Sequence, residues 1–115
     1  MKTFICYKGC STCTKARKQF EALNIDFEVR EITEDTPTVT ELKTWLDHND
    51  FDIKKLFNTS GLIYRKLELK DKINDMSEDE KLQLLSENGM LIKRPLLVDG
   101  HTVIIGYNEK VYANL

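Results

Sequence analysis

The chain has 115 residues, a length that suits one domain with a substantial buried core. Its net charge of -2 and its pI of about 5.7 argue against direct binding to nucleic acid, which requires a basic surface. The first residues lack the apolar segment of a signal peptide, and no apolar run approaches the roughly 18 residues of a membrane span. Three cysteines, an odd number, fit a reducing compartment. We therefore expect a soluble, monomeric, cytoplasmic protein that contacts neither membranes nor nucleic acid.

Two of the three cysteines are spaced C-x-x-C in the N-terminal segment, residues 4–20. The segment predicts a short strand, a turn and a helix that begins near Ser11. Cys10 then lies just before the helix, where free backbone N–H groups and the positive end of the helix dipole favour a thiolate. A thiolate is the nucleophile in disulfide exchange, and in such motifs the thiol pKa falls to roughly 3.5–7.5. Cys10 is therefore the predicted attacking sulfur, and Cys13, one helical turn later, is the predicted resolving thiol.

Two other interpretations of these cysteines stay open. In the first they are an inert pair of small buried side chains, and in the second they supply half of a zinc site. Zinc needs two more ligands, and the remaining candidates, Cys6, His48 and His101, are isolated and lack ligand spacing. The position of C-x-x-C beside a strand-helix-strand pattern favours redox chemistry over both, and we expect no metal. Cys6 itself is predicted to be a small buried residue of the first strand.

The first third of the chain predicts a βαβ unit. Residues 2–7 form a strand, and residues 25–30 alternate apolar with charged side chains, as in a half-buried strand. The helix between them carries one apolar stripe, which would pack against the sheet. The stripe comprises Cys13, Ala16, Phe20 and Leu23. Parallel strands follow from this unit, and ligands in such sheets bind beyond the carboxyl ends of the strands, where Cys10 lies.

The pattern from residue 37 to residue 93 is helical. Two S/T-x-x-E capping boxes predict the starts of two helices, and Trp45 has the helical spacing of a core residue in the first. Gly89 suits a left-handed stop after the second helix. The boxes are Thr38 with Glu41 and Ser77 with Glu80.

The C-terminal segment predicts a hairpin and a short helix. Asp99 and Gly100 lie between two apolar runs, the strongest short signal for a hairpin. Pro95 opens the first strand of this hairpin, so we expect either an edge position or an X-Pro bond that faces a site. Asn108 can cap a final helix. The predicted order of elements is β, α, β, helical insertion, β, β, α.

Four short motifs occur in order along nearly the whole chain. They are Cys10-Ser-Thr-Cys13-Thr-Lys15-Ala16-Arg17, Asn58-Thr59-Ser60-Gly61, Leu91-Ile92-Lys93-Arg94-Pro95 and Gly106-Tyr107-Asn108-Glu109. Together they resemble the arsenate reductase (ArsC)/Spx/MgsR family, which has the thioredoxin fold. The resemblance implies an α/β protein of the glutaredoxin/ArsC type, with a mixed sheet of about four strands and an all-helical insertion. We expect a single domain, residues 1–115, with thioredoxin-like halves at residues 1–36 and 94–115 and the insertion at residues 37–93.

The resemblance also implies roles for particular residues. The active cysteine of the family falls on Cys10, its resolving or switch cysteine on Cys13, and its oxyanion-binding arginine, which precedes a cis-proline, on Arg94. A guanidinium beside the sulfur would stabilise a thiolate and hold an oxyanion in a fork of N–H donors. The implied substrate-binding residues are Ser11, Thr12, Arg94 and Pro95.

The arginines that bind arsenate are incompletely represented. Arsenate reductases of this family use further arginines in the insertion and after the last strand, but residues 58–61 and 106–108 contain none, and Arg65 is offset. With about one guanidinium instead of three, a dianionic arsenate loses much of its charge-assisted binding. We therefore expect inefficient arsenate reduction.

Two functions follow from the resemblance. In the first, a thiol-disulfide oxidoreductase or arsenate-reductase-like enzyme, Cys10 attacks an oxidised substrate and Cys13 closes on Cys10. Glutathione, another cellular thiol or a thioredoxin/glutaredoxin-type protein then resets the pair, with no bound cofactor. In the second, a Spx/MgsR-like transcriptional regulator, the protein binds the RNA polymerase α subunit and uses the two thiols as a redox switch.

Overall fold

A four-stranded mixed sheet organises the fold. The computed structural model describes residues 2–115, and its strands are β1 (Lys2–Cys6), β2 (Phe27–Glu31), β3 (Leu96–Asp99) and β4 (Thr102–Ile105). The strand order is β2-β1-β3-β4; β1 runs parallel to β2 and antiparallel to β3, and β3 pairs antiparallel with β4. The predicted α/β class, the parallel β1–β2 pair and the hairpin are confirmed.

Helices connect and flank these strands. The α-helices are α1 (Ser11–Ala22), α2 (Val39–His48), α3 (Leu62–Lys66), α4 (Leu69–Lys72), α5 (Glu78–Glu87) and α6 (Glu109–Ala113). Short 3-10 turns cover Ile53–Leu56, Ile73–Asp75 and Gly89–Leu91. Helix α1 connects β1 to β2, and α2 to α5 lie between β2 and β3. Within residues 2–115, no helix is long and apolar enough to cross a membrane.

Helix α1 packs on the sheet through its predicted apolar stripe. Cys13 and Phe20 are buried, whereas Leu23 is 44% exposed because it lies at the C-cap, where the helix leaves the sheet. The Phe20 ring meets the Phe4 ring edge-on at 5.3 Å and stacks on Tyr112 of α6 at 5.0 Å. Burying these rings fixes α1 over β1, and with it the position of Cys13.

Strand β2 is shorter than predicted and one of its apolar residues faces solvent. The strand begins at Phe27, whose ring packs against Phe4, while Ile25 precedes it. Val29 is 48% exposed, so its predicted burial is wrong. Val29 lies on the edge strand β2 and lines a groove beside α1.

Two of the helices between β2 and β3, α2 and α5, begin as predicted. The two capping boxes are both formed, with the hydroxyl of the N-cap accepting from the backbone of the glutamate and the glutamate accepting in return. Trp45 is 5% exposed and belongs to the main core, which confirms its predicted role. An ion pair ties α2 to the sheet: both Nη atoms of Arg30 donate to the Glu41 carboxylate, at 2.7 and 2.8 Å.

Gly89 does not form the predicted left-handed stop. Helix α5 ends at Glu87 with Asn88 as its C-cap, and Gly89 opens a 3-10 turn; the glycines with positive φ are Gly100 and Gly106. A Cβ atom at Gly89 would lie 2.5 Å from the carbonyl oxygen of Ile32. Glycine is needed here because two backbone segments approach closely. The backbone conformation of the turn does not itself require a glycine.

The C-terminal segment places a proline immediately before the central strand β3. Pro95 precedes β3 and does not open it, and β3 lies between β1 and β4, so the predicted edge position is wrong. The Arg94-Pro95 bond is cis. Gly100, with a φ of 63°, forms the predicted turn of the hairpin. Asn108 caps α6 by accepting from the N–H groups of Lys110 and Val111.

Candidate functional site

The C-x-x-C pair lies where β1 passes into α1. Cys10 is the extended N-cap residue of α1, and its Sγ accepts a hydrogen bond from the backbone N–H of Cys13 at 3.3 Å. The Cys10 N–H donates to the Tyr7 carbonyl at 3.0 Å, which closes the turn after β1. Cys10 is partly exposed, whereas Cys13 is 2% exposed. The predicted arrangement, with Cys10 at the rim and Cys13 on the packed side, is confirmed; their catalytic roles stay predictions.

The pKa of the Cys10 thiol differs from the sequence-based prediction. Burial raises this pKa, and a hydrogen bond with the Cys13 thiol raises it further, whereas the Cys13 backbone N–H and the charge of Arg94 lower it. The net result is a pKa raised above the ordinary value. In the reduced protein the predicted lowering is therefore wrong, because one N–H and one nearby cation do not outweigh the loss of solvent around the sulfur.

A third thiol adjoins the pair. Cys6, the last residue of β1, is 3% exposed, which confirms its predicted burial. The Cys13 thiol lies beside the thiols of Cys6 and Cys10, and the three residues pack in one cluster. The interaction with the Cys13 thiol is the largest cause of the lowered pKa of Cys6. The pKa of Cys13 is raised, mainly by its contact with Cys6 and secondly by burial. The three sulfurs thus form a row with Cys13 in the middle.

The contact between Cys6 and Cys13 was not predicted from the sequence. In a βαβ unit the last residue of the first strand and the first turn of the helix meet at the carboxyl end of the strand. That rule indicates that Cys6 and the C-x-x-C pair are neighbours, because β1 ends at Cys6 and α1 begins at Ser11.

Arg94 faces the same end of β1. Extending the β1–β3 register by two residues brings Arg94 opposite Tyr7, and the guanidinium carbon lies 5.6 Å from the centre of the Tyr7 ring. Its Nη1 donates to the carbonyl oxygens of Met90 and Ile92, at 3.0 and 3.1 Å. Its Nε is buried without a hydrogen-bond partner in the described residues. An unpaired buried donor of this kind is stabilised by a charged acceptor brought against it.

The other implied substrate-binding residues lie near the thiols, in the first turn of α1 and just before β3. Ser11 and Thr12 are exposed in the first turn of α1, between the two cysteines, and Pro95 is buried beside Arg94 at the start of β3. Extending the β1–β3 register by one residue places Pro95 opposite Cys6. The segment that carries Asn58 is tied to the residues before Arg94, because the Asn58 N–H donates to the Leu91 carbonyl at 2.7 Å.

The two histidines lie together at another place in the fold. The rings of His48, at the end of α2, and His101, in the β3–β4 turn, stack at 4.2 Å. Within residues 2–115, no group of three or more histidine, cysteine, aspartate or glutamate side chains is arranged to hold a metal ion.

Comparison with known proteins identifies the family. The model of the ArsC family matches residues 6–115. The chain belongs to the ArsC family. This confirms the resemblance carried by the four motifs and accounts for the thioredoxin-like arrangement of the mixed sheet. An ArsC family related protein from Bacteroides fragilis, known as a crystal structure, superimposes with a TM-score of 0.93 at 42% identity, over 98% of this chain and 95% of that one.

Two ArsC-family relatives from Bacillus subtilis (strain 168) are similar over most of their length. The protein YusI, which is uncharacterised, is 48% identical over 107 residues, or 93% of this chain and 91% of YusI. The regulatory protein MgsR is 36% identical over 106 residues, or 92% of this chain and 82% of MgsR. The family is thus established, while its relatives include a protein named as a regulator.

Proposed function

We propose that this ArsC-family protein is a thiol-disulfide oxidoreductase that forms a disulfide between Cys10 and Cys13. The observation that carries the proposal is the contact of a partly exposed thiol at a helix N-terminus with a second, buried thiol one turn later. The exposed sulfur is accessible to a substrate, and the buried one is within reach of the first. These are the two requirements for attack and resolution.

The reaction would proceed in two exchange steps. The Cys10 thiolate attacks one sulfur of a substrate disulfide, which forms a mixed disulfide and releases the other half as a thiolate. The Cys13 thiolate then attacks the Cys10 sulfur, so that the Cys10–Cys13 disulfide forms and the second half of the substrate leaves. Glutathione, another cellular thiol or a thioredoxin/glutaredoxin-type protein reduces the pair, and we place this cycle in the cytoplasm, where such reductants are available.

Arg94 supports this chemistry as an anion-binding residue. Its charge lowers the pKa of Cys10, and its buried Nε has no hydrogen-bond partner in residues 2–115. A substrate with a carboxylate, or a small oxyanion, would supply that partner. Ser11 and Thr12 lie in the helical turn beside Cys10, and their hydroxyls would contact the same substrate.

A second candidate function is a redox-sensing transcriptional regulator. The similarity to the regulatory protein MgsR favours it. In this role the Cys10–Cys13 disulfide changes the affinity for a partner, for which we propose the RNA polymerase α subunit, and no catalytic turnover occurs. Both functions use the same pair of thiols.

Turnover separates the two functions. Purified protein is given hydroxyethyl disulfide, glutathione, glutathione reductase and NADPH, and the oxidation of NADPH is followed. We expect turnover in the wild type, its loss in Cys10→Ser, and accumulation of a mixed disulfide on Cys10 in Cys13→Ser. Lys18→Ala, on the exposed face of α1, is the matched control. Absence of turnover, combined with capture of the RNA polymerase α subunit by only one redox state, would overturn the enzyme in favour of the regulator.

A further inference from the structure

Cys6 is a buried thiol that the proposed reaction does not use. Cys6 and Cys13 belong to one buried cluster against which Cys10 packs, and the thiol of Cys13 interacts with those of both Cys6 and Cys10. Cys6 and Cys13 also line the same groove, whereas the backbone N–H of Cys13 donates to the Cys10 sulfur. A disulfide between Cys10 and Cys13 would therefore leave a free thiol next to its buried sulfur atom.

A groove opens on this side of the row. It has a volume of about 280 Å³ and is lined by Cys6, Cys13, Thr14, Arg17, Val29 and Glu31, among others, while Cys10 is not part of its wall. The exposed Val29 forms its floor on the edge strand, and two opposite charges, Arg17 and Glu31, act on Cys6. The groove therefore reaches Cys6 and Cys13 from a side of which Cys10 is not part.

We propose that Cys6 is a third redox-active thiol, which takes the Cys13 sulfur from the Cys10–Cys13 disulfide and leaves the protein with a Cys6–Cys13 disulfide. The inference rests on the proposed function, because it needs the first disulfide as its substrate. Its effect is to free Cys10 for a second attack while the oxidised pair is stored inside the fold.

The step is an internal thiol-disulfide exchange. The Cys6 sulfur, as a thiolate, attacks Cys13 Sγ; the bond between Cys6 and Cys13 forms as the bond between Cys13 and Cys10 breaks, and the electron pair leaves on Cys10 Sγ. The proton lost by Cys6 passes to water in the groove, and Cys10 takes up a proton from solvent. Two thiol equivalents remain oxidised throughout, so no further oxidant or reductant is required.

The pKa of the attacking thiol suits it to this exchange. The contact with the Cys13 thiol is the largest cause that lowers the pKa of Cys6, while burial and Glu31 raise it and Arg17 lowers it. Cys6 therefore ionises more readily than a thiol whose pKa burial alone determines.

Tryptic peptides distinguish the two disulfides directly. Cleavage after Lys2, Lys8 and Lys15 places Cys6 in peptide 3–8 and both Cys10 and Cys13 in peptide 9–15. Reduced protein is oxidised with one equivalent of diamide, free thiols are blocked with N-ethylmaleimide after increasing times, and digests are analysed by mass spectrometry without reduction. We expect an internal disulfide in peptide 9–15 at early times. At later times the internal disulfide should decrease while a disulfide that links peptides 3–8 and 9–15 increases. In the linked species the blocking group should be on Cys10.

The outcomes separate this inference from the proposed function. If peptide 9–15 keeps its internal disulfide and Cys6 stays blocked at all times, the inference is overturned while the Cys10–Cys13 pair stands. A link that carries the blocking group on Cys13 also overturns it. If no disulfide forms, both proposals fail. Cys6→Ala and Cys13→Ser should each lose the linked peptides. The main result is obtained with wild-type protein, so it remains valid even if either variant folds poorly.

Discussion

The Sγ of Cys10 accepts a hydrogen bond from the backbone N–H of Cys13 at 3.3 Å, yet the pKa of Cys10 is raised. Desolvation is the largest cause, and the Cys13 thiol adds to it. A helix N-terminus therefore does not by itself produce an acidic thiol, because the same packing that aligns the N–H removes water from the sulfur. This relationship determines how the reactivity of the protein should depend on pH.

We expect the rate of Cys10 alkylation by iodoacetamide to rise with pH and to give an apparent pKa above the value of about 8.5 for free cysteine. The sign follows from the cause: burial stabilises the neutral thiol, so a higher pH is needed to ionise it. Arg94→Ala removes a cation that favours the thiolate and should raise the apparent pKa further. Arg65→Ala, on the exposed side of α3, is the control. A wild-type value below that of free cysteine would contradict this prediction.

Arg94 should discriminate between charged and neutral substrates. Arg94→Lys keeps the positive charge but removes the Nε donor and the planar fork. Since a hydrogen bond to a charged group contributes roughly 1.5–3 kcal/mol, we expect a loss of about 10- to 100-fold in kcat/KM for glutathione disulfide. Hydroxyethyl disulfide, which has no charge, should be affected much less. Equal losses for the two substrates would show that Arg94 acts on the sulfur chemistry and not on anion binding.

Gly89→Ala should destabilise the fold. The new Cβ would lie 2.5 Å from the carbonyl oxygen of Ile32, a backbone atom that cannot rotate away. Forced displacement of packed segments costs about 1–3 kcal/mol, which denaturant unfolding can measure. At Gly61 the nearest atom, at 2.6 Å, belongs to the flexible side chain of Asn58, so Gly61→Ala should cost less. Equal stability of the Gly89→Ala protein and the wild type would refute this account.

The ion pair between Arg30 and Glu41 should make stability depend on pH. The hydrogen bonds from Arg30 are the largest cause of the lowered pKa of Glu41, whose side chain is 36% exposed. We expect Glu41→Gln to lower the free energy of unfolding by about 1 kcal/mol at pH 7, after allowance for solvent screening.

That difference has a definite pH window. Because the pKa of Glu41 is lowered on folding, its stabilisation is present above the unfolded value of about 4.3 and is lost as the pH falls through the folded value. The gap between wild type and Glu41→Gln should therefore close in acid. Glu28→Gln, an exposed change on the same strand β2, serves as the control. A gap that stays constant down to acid would exclude the ion pair as its cause.

Local signals in the sequence predicted the elements that depend on few neighbours. The two capping boxes and the Asp99-Gly100 turn are determined by residues three or fewer positions apart, and they occur where expected. The buried face of α1 followed from helical periodicity. The cis bond before Pro95 was implied by the family resemblance and is confirmed.

Features that depend on tertiary neighbours were not predictable in this way. The exposure of Val29 follows from the edge position of β2, which alternation along the strand does not reveal. Gly89 is required by a carbonyl 57 residues earlier in the chain, that of Ile32. The raised pKa of Cys10 depends on burial and on a thiol contact, neither of which can be read from the spacing C-x-x-C.

The anchoring of Arg94 has a consequence for the entropy of recognition. Its Nη1 is held by the carbonyl oxygens of Met90 and Ile92 in the loop that precedes it. A free arginine side chain loses up to about 2 kcal/mol of rotamer entropy when it is immobilised, and here much of that loss accompanies folding. The guanidinium is thus preorganised. Binding an anion therefore requires little further loss of side-chain entropy from Arg94.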